Sequence, residues 1–369
     1  MLSKNQLAAL LLAPTLAAAL PGVALAAPHY TVTALPVGTL PLAINSSGQI
    51  VGNIASASGT GSEGFVWSAG TLVPIGSMGG TYGSAQAING SGVVVGYGEL
   101  ADGNVQAFRY SGGVRTGFDV VGATNTYAAG LSDGGKIVGQ YYSEAKGTRA
   151  FLSDAGVTTD LGDLGGGFAA GYAVNSAGHA VGFSALDDAP FHAHGFFYAD
   201  GVMHDLGAFL DASLSAATSI NDHDQITGQG WVQGSFHAFL YQDGALQDLG
   251  TLGGRESFGD DINASGQIVG SSDLAGDLGT AAYLWDGVSM LDLNALIDPA
   301  EGWRLYEASS INDSGQIAAY GCRGDVCGGV LLDVAAAVPE PGSLMLVVAG
   351  LGMLGLRRRG CVWGCSAGA

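Results

Sequence analysis

The sequence predicts an all-β protein, a seven-bladed β-propeller of four-stranded repeats of about 44 residues each. Three observations predict this fold. A short phrase, in its clearest form Ile-Asn-x-x-Gly-Gln-Ile-Val-Gly, returns along the chain at the spacing of one propeller blade. An aromatic strand returns with the same spacing. The strand that should follow the last aromatic copy stands at the opposite end of the chain.

The repeated phrase predicts a tight turn between two strands. In the copy Asn263-Ala-Ser-Gly266, Asn and Gly occupy the first and fourth positions, which they favour in a type I turn. We interpret the phrase as a bend that every blade must make, and not as a binding motif. Its opening hydrophobic residues are Ile44, Ile88, Leu131, Val174, Ile220, Ile262 and Ile311.

The residues between two such turns supply the other strands of a repeat. The segment 237–241, His-Ala-Phe-Leu-Tyr, is an aromatic strand suited to a buried pleated surface. Gln-Asp-Gly at 242–244 turns the chain, and 245–249 returns with alternating polarity. A further strand leads to Ile262 and the next turn. Each repeat is therefore predicted to form four antiparallel strands.

The first and last strands predict how the array closes. The last aromatic strand is at 329–332, and the strand that should pair with it is at 31–35. An open array would leave exposed edges at both ends, whereas a ring leaves only short protected ones. We therefore expect the N-terminal strand to complete the last blade. A β-helix or an open solenoid is the alternative, although the period is long for a β-helix.

Composition limits the classes of partner. Charged residues make up 12% of the chain, Gly occurs 63 times, and the formal net charge is -20. Few cations are available to replace counterions on phosphates, so we expect no nucleic-acid partner. No Gly-rich phosphate loop follows a strand, and we expect no cofactor.

The first 26 residues predict export. Lys4 precedes a short apolar run at 7–13, and Ala24-Leu-Ala26 gives a small-residue exit. This order is typical of a secretory signal peptide over 1–26, cut after Ala26. An uncleaved membrane anchor is the alternative, but two prolines interrupt a run that is short for a span.

The phrase His-Ala-Phe-Leu-Tyr…Asp-Leu-Gly-Thr-Leu-Gly-Gly at 237–254 resembles the extracellular repeats named after His-Ala-Phe, the HAF family. The resemblance covers nearly all of 30–334, and we assign 27–337 to one HAF-repeat propeller. Only His237 stands directly before Ala-Phe; Gln106 and Arg149 replace it in other copies. The resemblance implies a surface or secreted protein and brings no catalytic residues.

The C-terminal segment 338–359 combines a Pro-Glu-Pro motif, an uncharged run at 342–356 and an arginine cluster. It resembles the PEP-CTERM sorting signal, which exosortase reads in Gram-negative bacteria that make exopolysaccharide. The resemblance implies transient anchoring in the inner membrane by a transmembrane helix, cleavage near the motif, and release toward the cell surface. A plain C-terminal anchor is the alternative. The motif residues are Val338, Pro339, Glu340, Pro341, Arg357, Arg358 and Arg359.

The four cysteines form two pairs. Cys322 and Cys327 lie on the exported side and flank a four-residue loop, so a disulfide is sterically plausible there. Cys361 and Cys365 lie in an atypical extension, 360–369, beyond the arginines. A membrane separates the pairs, so we predict no zinc site from them.

Asp222, His223 and Asp224 form the one turn whose expected Gly is an acid. Their side chains are weak candidates for a divalent cation. No catalytic residue recurs in the repeats. We therefore predict a non-enzymatic surface or matrix protein that binds glycan, such as exopolysaccharide, or a surface protein through its loops. A secreted carbohydrate-active hydrolase or lyase is the alternative.

Overall fold

The computed structural model of the chain describes residues 29–56, 59, 61–187, 192–207 and 214–335. These residues form β-strands and three short 3-10 helices, and no α-helix occurs among them. The all-β prediction is confirmed. The 3-10 helices are Ala275–Asp277, Leu293–Ala295 and Pro299–Glu301.

After β1 (Tyr30–Val37), the described strands fall into six groups of four and a last group of three. Repeats 1 to 3 comprise β2 (Leu40–Ile44), β3 (Ile50–Ala55), β4 (Ser62–Ser68), β5 (Thr71–Pro74); β6 (Gly79–Ile88), β7 (Val94–Leu100), β8 (Val105–Ser111), β9 (Val114–Phe118); β10 (Asn125–Leu131), β11 (Ile137–Ser143), β12 (Gly147–Asp154), β13 (Val157–Gly162). Repeats 4 to 6 comprise β14 (Ala169–Val174), β15 (Ala180–Ala185), β16 (Ala193–Ala199), β17 (Val202–Asp205); β18 (Ser215–Ile220), β19 (Ile226–Val232), β20 (Ser235–Gln242), β21 (Ala245–Asp248); β22 (Gly253–Ile262), β23 (Ile268–Leu274), β24 (Thr280–Trp285), β25 (Met290–Asp292). The last group comprises β26 (Trp303–Ile311), β27 (Ile317–Arg323), β28 (Val326–Val334).

Within each repeat the strands pair in chain order and antiparallel. Repeats 3 to 6 each form a separate four-stranded sheet. Repeats 1 and 2 count as one eight-stranded sheet, because a parallel pair, Ser62 with Tyr82, joins β4 to β6. The remaining sheet has the order β1-β28-β27-β26, so the N-terminal strand lies beside the last strand. Tyr30 pairs there with Val334. This succession of antiparallel sheets around a common cavity is a β-propeller.

Apolar clusters fill the space between neighbouring sheets. The aromatic strands supply the largest side chains of these clusters. Alternate residues of a strand point to opposite faces, so the aromatic rings enter the space between two sheets. Phe151 and Phe65 are fully buried. Phe65 and Ile50 share a cluster with Leu35 of β1 and Leu331 of β28, so the first and last described strands contribute to one core.

The Asn of each turn bonds to its own turn and to the next one. Asn263 Oδ1 accepts hydrogen bonds from the backbone N–H groups of Ser265 and Gln267, and its Nδ2 donates to the carbonyl oxygen of Asn312 at 3.2 Å. Asn312 Nδ2 in turn donates to the carbonyl oxygen of Asn45 at 2.9 Å, across 267 positions. The repeated Asn is therefore a link between repeats as well as a turn residue.

The Gly of the turn is required by its backbone angle and by the packing of a Gln side chain against it. Gly266 has φ +74°, in the left-handed region that Gly adopts without strain. A Cβ there would lie 3.2 Å from Nε2 of Gln225, the Gln of the preceding turn. Gln49 packs in the same way on Gly92, and Gln316 on Gly48.

Candidate functional site

A β-bulge interrupts the first strand of every repeat at the same place. In repeat 6, Gly259 pairs with Gly270 and Asp261 with Val269, which leaves Asp260 unpaired between them. A bulge bends its strand and redirects the extra side chain. The equivalent residues all line one central cavity of about 250 Å³: Leu42, Gln86, Ala129, Tyr172, Thr218, Asp260 and Ser309.

The lining of this cavity is polar and acidic. Asp260 and Asp261 supply carboxyl groups, and Tyr172 supplies an aromatic ring. The lining residues include no Lys, Arg or His. Electrostatically the cavity therefore favours a cation or a donor of hydrogen bonds.

Asp261 joins three repeats through hydrogen bonds. Its carboxylate accepts from Ser219 Oγ at 2.7 Å, from Ser310 Oγ at 2.6 Å and from the backbone N–H of Ile311 at 3.0 Å. Burial raises the pKa of Asp261, and the hydrogen bonds from Ser310 and Ser219 oppose that rise. The carboxylate of Asp261 is therefore occupied by hydrogen bonds that join the first strands of three neighbouring repeats.

Asp260 has no hydrogen-bond partner within the described part of the chain. Burial raises its pKa well above the usual aspartate range, and the charges of Glu307 and Asp261 raise it further. Asp260 keeps some accessible surface, which faces the cavity. Glu307 is exposed along part of its side chain, yet its carboxyl group is enclosed enough that burial raises the pKa. A carboxyl group in this setting is a candidate functional group.

Tyr283 adds an unpaired buried hydroxyl in the same repeat as Asp260. Its ring crosses Gly270, where an added Cβ would meet Cε1 at 3.1 Å, and Gly270 pairs with Gly259 next to Asp260. The ring therefore extends from β24 toward the first strand and Asp260. Tyr283 is fully buried and its hydroxyl has no partner among the described residues. Burial, followed by the charge of Asp260, raises the pKa of Tyr283 well above its ordinary value.

In repeats 2 to 5, the residue before the Ala-Phe or Gly-Phe step of the aromatic strand pairs with an Asp on the last strand of the repeat or in the loop after it. His237 Nδ1 lies 2.9 Å from Asp248 Oδ2, and His194 Nδ1 lies 2.8 Å from Asp205 Oδ1. Gln106 donates to Asp119, and Arg149 forms an ion pair with Asp163. These pairs are made within single repeats, so the motif residues stabilise the sheets and are not gathered into a site.

The candidate cation ligands of the exceptional turn contact the preceding turn instead. Asp222 accepts from Ser176 N at 2.8 Å and Ser176 Oγ at 2.9 Å. Asp224 occupies the left-handed Gly position, and its Oδ1 lies 2.8 Å from His179 Nδ1. His223 is exposed. The described residues contain no group of three or more His, Cys, Asp or Glu side chains placed to hold a metal ion.

The other predicted residues divide between described and undescribed parts of the chain. Cys322 and Cys327 form a disulfide on the β27–β28 hairpin. The signal peptide 1–26 with its cleavage site, the sorting motif 338–359 and the extension 360–369 lie outside the described residues. No helix within the described ranges is long and apolar enough to cross a membrane.

Sequence reasoning missed Asp260, Asp261 and Glu307. The available signal was the pair of residues before each Ile-Asn, Leu-Ser or Val-Asn step. That pair is Leu-Ala, Gln-Ala, Ala-Gly, Tyr-Ala, Thr-Ser and Ser-Ser in six copies, and Asp-Asp at 260–261. Two acids at a position that is uncharged elsewhere distinguish this repeat. Their convergence on a cavity depends on the bulges, which the sequence does not reveal.

No protein-family model matches the chain, and no curated protein matches it. Solved structures of similar fold include a puromycin-hydrolysing peptidase of Mycobacterium tuberculosis, with TM-score 0.52 and 12% identity over 84% of this chain and 54% of that one. An acylaminoacyl peptidase of Pyrococcus horikoshii gives 0.45 and 15% over 77% and 50%. A gluconolactonase of Xanthomonas campestris gives 0.37 and 11% over 85% and 93%. The chain spans about half the length of the two peptidases.

The prediction of a non-enzymatic protein is corrected by this comparison. A peptidase shares the fold at TM-score 0.52, so enzymes occur among the structures that this chain resembles. The prediction relied on the lack of a catalytic group common to all repeats. Such a test overlooks groups that occur once, as Asp260 does. The likeness concerns the fold alone and establishes no activity for this chain.

Proposed function

We propose that the protein is an exported surface or extracellular-matrix protein of the HAF-repeat type, which binds glycan through the central cavity and the loops around it. The observation that carries the binding role is the cavity itself, where Tyr172 and the unpaired Asp260 face the same space. Small polar cavities with an aromatic wall suit ligands that have both apolar and hydroxyl-bearing faces.

The proposed architecture is a seven-bladed ring closed by β1. Two observations support it. The strand order β1-β28-β27-β26 gives the last repeat its fourth strand from the N-terminus. The amide of Asn312 donates to the carbonyl oxygen of Asn45, which is the same link that joins consecutive repeats elsewhere.

The proposed route to the surface is sorting by exosortase after export. The order of Pro-Glu-Pro, apolar run and arginines in 338–359 supports it, together with the signal peptide 1–26. We expect the wild-type protein to appear outside the inner membrane, with a C-terminus near residue 338 by mass spectrometry, in a host with exosortase. Glu340→Ala should remain in the membrane fraction. Glu301→Ala, a matched change within the repeats, should be sorted normally, and equal sorting of all three would contradict the proposal.

Glycan binding is tested with two exposed tyrosines. Tyr172 lines the cavity and is 37% exposed, whereas Tyr142 is 43% exposed and is not among the lining residues. On a glycan array of bacterial polysaccharides, Tyr172→Ala should weaken binding about fivefold, corresponding to roughly 1 kcal/mol of ring contact. Tyr142→Ala should bind as the wild type does. Loss of binding by both variants to the same degree would argue against the cavity.

A carbohydrate-active hydrolase or lyase is the second candidate. It is favoured by the raised pKa of Asp260 in the cavity, since a carboxyl group whose pKa is raised toward the working pH is better suited to act as a general acid. The assay follows new reducing ends or unsaturated products from polysaccharide substrates. Asp260→Asn should abolish any turnover, and turnover that persists in this variant would exclude Asp260 as the acid.

A further inference from the structure

We propose that the central cavity binds the protonated amine of an amino sugar, with Asp260 as the anionic contact and Tyr172 as the ring against which the sugar packs. This inference deepens the proposed glycan binding and rests on it. The ligand class is a hydroxyl-bearing ring with an ammonium group.

The charge of the ligand follows from the acidic groups. Asp260 and Asp261 line the cavity, Glu307 lies near enough to affect Asp260 electrostatically, and the lining contains no basic residue. Asp261 is already satisfied by Ser219 and Ser310, so Asp260 is the lining carboxyl group left to meet a ligand. An ammonium group would provide the missing positive charge and three hydrogen-bond donors.

A second observation is an unpaired hydroxyl in the same repeat as Asp260. The hydroxyl of Tyr283 is fully buried and has no partner in the described chain, and the ring lies over Gly270, whose strand partner Gly259 precedes Asp260. The equivalent residue is Phe in repeats 1 to 5, as in Phe239 opposite Gly228, so packing alone does not require a hydroxyl. Buried hydroxyl groups are normally paired. A polar ligand, or a water that it holds beside Asp260, would provide the partner.

The size and the opposite wall of the cavity favour a sugar. About 250 Å³ corresponds to roughly eight water molecules at ~30 Å³ each, which is room for one small ring. Tyr172 and Asp260 occupy equivalent bulges two repeats apart, so they line the same level of the cavity. A tyrosine face attracts both the apolar face of a ring and a nearby cation. Gln86, Thr218 and Ser309 provide polar groups around the same level.

The test is calorimetric titration of the full-length protein with three tetrasaccharides of matched linkage, made of glucosamine, N-acetylglucosamine or glucose. We expect glucosamine tetramer to bind at least tenfold more tightly than the other two. Asp260→Asn should reduce that affinity at least tenfold. Asp243→Asn removes the same charge on the outer β20–β21 hairpin and should change it less than twofold. A melting curve for each variant establishes that it is folded.

Each alternative outcome identifies which part of the proposal is wrong: the amine, the site, the sugar or glycan binding itself. Equal binding of all three tetramers would overturn amine recognition and leave glycan binding standing. Glucosamine binding that is unchanged in Asp260→Asn would overturn this site. A lysine tetrapeptide that binds more tightly than the glucosamine tetramer would overturn the sugar in favour of a protein partner. Failure of every glycan on the array to bind would overturn the proposed function together with this inference.

Discussion

Replacing Leu35 by Ala tests whether the N-terminal strand is part of the folded core. Leu35 lies on β1, is 5% exposed, and packs in one cluster with Leu331 of β28 and Phe65 of repeat 1. The change removes three carbon atoms, worth about 2.4 kcal/mol at roughly 0.8 kcal/mol each, and leaves a cavity that adds to the loss. We therefore expect the free energy of unfolding to fall by about 2–5 kcal/mol.

The assay is urea and thermal unfolding followed by tryptophan fluorescence and far-ultraviolet circular dichroism. At roughly 2–4 °C per kcal/mol, the midpoint should fall by at least about 5 °C. Val37→Ala is the matched control, because Val37 lies on the same strand and is 69% exposed. Its effect should stay within about 0.5 kcal/mol. If Leu35→Ala unfolds at the same midpoint as Val37→Ala, β1 is not docked and closure by this strand is refuted.

Three further predictions concern charge, cross-linking and the turns. Asp260→Asn should raise the melting temperature at neutral pH. The pKa of Asp260 is raised in the folded state, so the contribution of its carboxyl group to stability is present below the ordinary pKa near 3.9 and is lost as pH rises through the folded-state pKa. The gap between variant and wild type should close as pH falls below 4, and a gap independent of pH would contradict this. Reduction of Cys322–Cys327 should lower wild-type stability by about 2 kcal/mol, from the entropy of a short loop, and leave a double Cys→Ser variant unaffected by dithiothreitol. Asn263→Ala should lose about 1–3 kcal/mol in urea unfolding because Ser265 and Gln267 lose the acceptor of their backbone N–H groups, whereas Ser265→Ala should be nearly neutral.

The repeat and its turns could be predicted from the sequence because they depend on local chemistry. The preference of Asn and Gly for fixed turn positions predicts the bend at 263–266 without reference to any other part of the chain. The second role of Asn263, its bond to the carbonyl oxygen of Asn312, joins atoms 49 positions apart. No local preference encodes that contact, so the same residue was predicted as a turn and missed as a link.

The candidate site was harder to predict, for a similar reason. A strand pattern records Tyr283 and Phe239 as equivalent aromatic core residues, and both are buried. The hydroxyl of Tyr283 and the carboxyl group of Asp260 distinguish repeat 6 from the others, and the position of Asp260 in the cavity depends on a bulge. The turn at Asp222–Asp224 was a candidate cation site because an acid replaces the Gly expected there. There Asp224 stands at the Gly position and contacts His179, where the turns of Gly48, Gly92 and Gly266 have a Gln packed on the Gly.

The amide links have a consequence for how the molecule would respond to pulling. Repeat 3 has Ser132 where the other repeats have Asn, and its hydroxyl accepts from Lys136 N within its own turn. Ser132 has no amide to donate to repeat 4, but the backbone connects those two repeats directly. The last sheet and repeat 1 are also connected by the backbone, because β1 continues through 38–39 into β2, and there Asn312 donates to Asn45 as well. A circular permutant with 29 and 335 joined by a linker and new ends opened between 162 and 169 would have neither a backbone connection nor an amide link between repeats 3 and 4, whereas every joint of the natural chain keeps its backbone connection. The permutant should therefore yield at lower force than the natural chain.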